Sequence, residues 1–162
     1  MKKYIYLLIT ILIFASCTED VKFNNPAFQG LKDNVFWRAQ SYKATILTNG
    51  SLVLEGSLGY EKVILRLPVV SQKTYTLGIN DVATASYSNI LPSQLEEFTT
   101  GKNKGNGEIV VAEYNAETKT ISGTFKFNAA NVDDSNVEKT GVNFTEGVFY
   151  KIPISSNMTI NN

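Results

Sequence analysis

Carboxylates, tyrosines, lysines and one thiol are the groups with which this 162-residue chain could do chemistry, because it contains no histidine. That absence removes Ser-His-Asp and Cys-His nucleophile systems, and imidazole-ligated metals, together. A glycosidase needs only two carboxyl groups, about 5–9 Å apart, in different protonation states. Glu96 and Glu97 are sequence neighbours and would diverge by about 100° on a helix, so they do not make such a pair. Glu55, Glu61, Glu108 and Glu113 lie on or beside strand-like segments, and whether any two converge depends on strand order. The segment NVDDSNVE holds Asn131, Asp133, Asp134, Asn136 and Glu138, oxygen donors of the kind calcium takes. It lacks the twelve-residue ligand spacing and the central glycine, whereas Asx residues favour turns, so no metal and no cofactor is assigned. Trp37, the single tryptophan, could stack on a pyranose ring with help from Tyr42, Tyr60, Tyr87 or Tyr114. The more economical role for one indole in a β-rich chain is core packing.

Cys17 is the only cysteine, and what precedes it decides its chemistry. Lys2 and Lys3 lead into an apolar run from Tyr4 to Ala15, broken only by Thr10, which is the layout of a secretory leader. The run is shorter than the ~18–20 residues that a membrane-crossing helix needs. Ala15 and Ser16, just before the cysteine, resemble a bacterial lipobox, with Phe14 where that pattern usually has an aliphatic residue. The resemblance implies cleavage after residue 16 and acylation of Cys17. One acyl chain holds a protein weakly, at about 0.8 kcal/mol per buried methylene, whereas several chains hold it durably. Thr18, Glu19 and Asp20 then open a polar tether reaching Asn25, and the acidic pair resembles the outer-membrane surface-export signal of Bacteroidota lipoproteins. The expected site is the bacterial outer membrane, cell-surface exposed, with a periplasm-facing orientation as the alternative.

The elements that must position these groups are strands. The chain carries 15 basic and 15 acidic residues with no basic run, which gives nucleic acid no electrostatic purchase. Residues 26–156 are enough for one domain, with residues 157–162 as a tail. Period-two alternation predominates. Asn49-Gly50, between two apolar runs, predicts a type I′ hairpin with Thr48 opposite Ser51, Leu47 opposite Leu52 and Ile46 opposite Val53. KVILRLPVV, TYTLG and, more weakly, ATASY read as further strands. LPSQLEEF is the one helical signal, with Ser93 and Glu96 spaced as a capping box. TGKNKGNGE, residues 100–108, reads as a flexible surface loop. IVVAEYN and KTISGTFKFNA make a second hairpin, with Ile121, Gly123, Phe125 and Phe127 on the buried face. VNFTEGVFYKIPI closes the domain, and Glu146-Gly147 marks a turn or a bulge. The expectation is all-β: a single antiparallel β-sandwich of eight or nine strands with at most one short helix, the alternative being a closed or partly open barrel.

Five stretches occur in a familiar order: NPAFQGLKDNVFWRA, TYTLG, GEIVVAEYN, ISGTFKF and VNFTEGVFYKIPI. Together they resemble a family of Bacteroidota lipoproteins described only as a domain of unknown function, over roughly residues 26–154. The resemblance implies an envelope lipoprotein and carries no catalytic residue with it. The expected function is a non-enzymatic, lipid-anchored envelope protein with a binding or structural role, touching the membrane through its lipid and a protein or glycan partner through its loops. A carbohydrate-binding accessory of a polysaccharide-uptake system, using Trp37, is the second reading, and a small carboxylate-dependent hydrolase the third.

Overall fold

The computed structural model describes residues 27–156, and Cys17, the leader, the tether and the C-terminal tail lie outside the described residues. The all-β expectation holds, with eleven strands and no helix among the described residues. In chain order they are β1 (Ala27–Lys32), β2 (Val35–Arg38), β3 (Ser41–Ile46), β4 (Leu52–Leu58), β5 (Glu61–Leu67) and β6 (Thr74–Leu77). Then come β7 (Thr84–Asn89), β8 (Glu96–Thr99), β9 (Asn106–Asn115), β10 (Thr120–Asn131) and β11 (Gly141–Ser156).

Hydrogen bonding is continuous through one sheet, ordered β2-β1-β11-β3-β4-β5-β7-β8-β10-β9-β6, in place of two separate layers. An additional β10–β11 pairing draws its two halves together. Every pairing is antiparallel except β11 with β3, where Ile154 lies opposite Ala44 and Ser156 opposite Ile46. The sheet folds over a single core. Phe28 on β1 covers the backbone of Gly56 on β4, where an added Cβ would come within 2.8 Å of the ring. Phe144 on β11 packs against Tyr87 on β7 and Phe127 on β10, with ring centroids 5.7 and 4.9 Å apart. The predicted buried face of β10 is buried, as Ile121, Phe125 and Phe127 all belong to the core.

Local chemistry explains where the strands turn. Asp33 and Asn34 both take positive φ, 49° and 66°, the two-residue geometry that matches strand twist, and so split the VFWR segment off as β2. The Asn49-Gly50 hairpin forms, but one residue out of the expected register: Ile46 faces Leu52 and Thr45 faces Val53. Only Gly50 is left-handed there, at φ 81°, and the Asn49 side-chain oxygen accepts from the Ser51 N–H. The turn is therefore longer than a type I′ pair, closing between Leu47 and Ser51. Glu146, at φ 51°, forms the expected bulge, and β11 runs on through it.

Two other expectations are corrected. The segment around Ser93 makes one turn, from the Leu91 carbonyl to the Gln94 N–H, and then extends as β8. The Glu96 carboxylate goes to Lys139 instead of back to Ser93, and Phe98 is fully buried between β7 and β10, so pairing outweighs the local capping signal. The stretch after Thr99 is also tighter than a nine-residue loop. Thr100 is buried with its hydroxyl accepting from the Ala85 N–H, Gly101 and Lys104 bridge each other, and β9 begins at Asn106.

The register fixes a direction. Lys32 lies opposite Phe144 and Ala27 opposite Tyr150, so β1 runs toward the end of the molecule where β11 begins. That end gathers the 33–34 turn, the 59–60 turn, the 90–95 segment and the 132–140 loop. The opposite end gathers the turn of residues 47–51, that of residues 116–119 and Ser156.

Candidate functional site

The end where β11 begins holds a polar cleft of about 410 Å³. Its floor is set by β5 and β7: Glu61 starts β5 directly after the Gly59-Tyr60 turn, and pairing puts it opposite Asn89. Asn89 in turn faces Glu96, the first residue of β8. Lys32 reaches in from the last position of β1 and Lys139 from the long loop. Ser93, Gln94 and Asn136 complete the polar lining, with Leu95 the one large apolar side chain.

The charges in the cleft are compensated within it. The Lys32 ammonium donates to a Glu61 carboxylate oxygen and, at 2.9 Å, to the Tyr87 hydroxyl, while lying 4.8 Å above the Tyr87 ring. The Trp37 indole N–H donates to the other Glu61 oxygen at 2.7 Å. Lys139 donates to Glu96 at 2.6 Å and lies over the Phe98 ring. Burial by itself would raise the Glu61 carboxyl, but hydrogen bonds from Lys32 and Tyr87, the Lys32 charge and the indole N–H outweigh it and hold it below the usual carboxylate range. Tyr87 moves the other way: burial, then the hydrogen bond and negative charge of Glu61, push its phenol well above the ordinary value. The phenol is thus neutral and the carboxylate ionised at any physiological pH.

Trp37 lies elsewhere than a sugar platform would need. Its ring is 2% exposed and packs edge-on against Phe28 and Phe144, so it has no face to offer a ligand. The cause is its place on β2, opposite Gly30, with the indole N–H drawn to Glu61. Of the four tyrosines, Tyr87 is buried, Tyr42 packs against the core and Tyr114 is at the opposite end, while Tyr60, 58% exposed, flanks the cleft beside Glu61. Among the six glutamates, Glu61 and Glu96 share the cleft; Glu55 pairs with Lys43 on the neighbouring strand, Glu108 with Lys126, and Glu97 and Glu113 face solvent. The oxygens of the 131–138 segment close its own loop. Asn131 accepts from the Asp133 N–H, Asp133 from Ser135 and Asn136 from Glu138 and Lys139, while Asp134 pairs with Lys104. The Ser135 hydrogen bonds hold the exposed Asp133 carboxyl below its usual range.

A second concavity, of about 540 Å³, lies on the outer sheet face over the Glu146 bulge, lined by Gln29, Thr124, Lys126 and Glu108. It is the larger of the two, but its ion pair, Lys126 with Glu108, is more exposed than the Lys32–Glu61 pair of the end cleft, whose carboxylate also takes the buried Trp37 indole N–H. The end cleft is therefore the better candidate. Lys32, Lys139 and Gln94 were not singled out from sequence, although the Asp33-Asn34 pair is a legible turn signal that would have put Lys32 at a strand tip.

No curated protein and no solved structure matches the chain. A family model does match residues 24–153, nearly the span over which the motif resemblance runs. The chain belongs to the family defined by the domain of unknown function DUF6252.

Proposed function

We propose that this protein is a lipid-anchored component of a bacterial outer envelope that binds a ligand and does not catalyse a reaction. The single observation that carries the reading is directional: β1 enters the domain running toward the polar cleft, so Ala27, the first described residue, is the end of β1 farther from the cleft. A lipid on Cys17 would sit at most about 35 Å of chain away, given ~3.3–3.6 Å per extended residue. A tether of that length lets the cleft face away from the membrane. The Lys-Lys-apolar leader and the Ala15-Ser16-Cys17 junction support the anchor, and Glu19-Asp20 supports display on the cell surface.

Catalysis by the two cleft carboxylates is disfavoured by the way they are held. A glycosidase acid must hold a proton near working pH, which requires a raised carboxyl. Glu61 is shifted downward and Glu96 is bonded to an ammonium. Both carboxylates are acceptors locked in place.

The test is Cys17→Ala expressed in the native host. Labelling with palmitate should disappear, with the thermal midpoint within about 1 °C of wild type, because the exchange lies outside residues 26–156. Wild-type protein that takes up no palmitate, or that keeps residues 1–16, would end the reading.

A further inference from the structure

We infer that the cleft between Lys32–Glu61 and Glu96–Lys139 is a binding site for a neutral oligosaccharide. This deepens the reading of the protein as an envelope binder and rests on it. The charges decide the class. Two ammonium groups and two carboxylates line the cleft, each already paired with one of the other sign, so neither an anion nor a cation meets an excess of opposite charge. A neutral ligand that both donates and accepts at every position suits such a surface. A hydroxyl can accept from the ammonium and donate to the carboxylate of one pair without breaking it, and charge-assisted bonds of that kind are the stronger ones.

The volume, about 410 Å³, is within the ~300–1,000 Å³ of small-molecule sites, but the lining is polar where such sites are mostly apolar. This points away from a lipid or an apolar cofactor and toward a polyhydroxylated one. Exposed apolar groups accompany the polar floor: Leu95 in the lining at 71% exposure, and Tyr60 and Val137, each adjacent in sequence to a lining residue. A pyranose has that same division, with hydroxyls at its rim and C–H groups on its faces.

A peptide fits less well. Extended peptides bind by adding to a free strand edge, and here β7 is paired on both sides, with β5 and with β8. The open edges of the sheet order are β2 and β6.

Full-length protein in detergent, titrated calorimetrically with maltohexaose, cellohexaose and xylohexaose, tests the inference, with a sulfated heparin hexasaccharide and hexa-alanine as the charged and peptide arms. Binding of at least one neutral hexasaccharide is expected, weakened about fivefold by Gln94→Ala, the effect of one lost hydrogen bond. Gln94 is exposed, so the thermal midpoint should not move. A Lys126→Ala control on the outer sheet face should bind as wild type. The inference is overturned if no neutral probe binds at about 10 mM, if only the sulfated or peptide probe binds, or if Gln94→Ala leaves neutral binding unchanged. Palmitate labelling is read separately, so a failed titration with an intact anchor removes the ligand class and leaves the envelope reading standing.

Discussion

Glu61 joins the core to the cleft, since one of its oxygens takes the Trp37 indole N–H and the other the Lys32 ammonium. A carboxyl held below its ordinary value of 4.5 contributes stability that is complete above that value and lost as pH falls through the lower folded value. Glu61→Gln should therefore destabilise the protein by about 2 kcal/mol at pH 7, the scale of a charge-assisted hydrogen bond. The gap between denaturant titrations of the two proteins should narrow as pH falls below 4.5, and a gap that stays constant into acid would refute this account. Trp37 gives a second readout: acrylamide should barely quench its emission, oligosaccharide should not shift it, and Trp37→Ala should cost about 3–5 kcal/mol in a urea melt. Core packing of the indole was legible from composition alone. Its partner was not, because Glu61 is 24 positions away and only the approach of β2 to β5 brings them together.

At the level of elements, hairpins with strong turn chemistry could be read and strand order could not. Asn49-Gly50 announced its hairpin, yet the one-residue register difference came from a longer turn than the dipeptide implies. The Ser93-Glu96 spacing carried a true local preference that lost to β8 pairing, since Phe98 is more valuable buried between two strands than on one exposed helical turn. The cleft depends on β5, β7 and β8 being neighbours, and no spacing along the chain encodes that. The β9–β10–β11 region offers a test of packing at this scale. An added Cβ at Gly123 would lie 2.0 Å from the Val110 carbonyl and 2.4 Å from the Phe149 ring. Gly123→Ala should cost about 3 kcal/mol or more, and a thermal midpoint near wild type would show that the β9–β10 ladder is slacker than described.

For the molecule as a whole, the all-β class followed from alternation, while its closure into one sheet depends on the last described strand. β11 is sixteen residues long and lies between β1 and β3 while also pairing with β10. The last described element in the chain is thus the one to which both halves attach. A growing polypeptide lacks the strand that joins β1, β3 and β10 until residue 156 has emerged, so its two halves should stay loosely associated until then. Translation arrest that leaves everything beyond Thr140 inside the exit tunnel should give protease-sensitive nascent chains, whereas arrest with a long C-terminal spacer should give resistant ones. Early resistance would mean that the first ten strands can hold a shape by themselves.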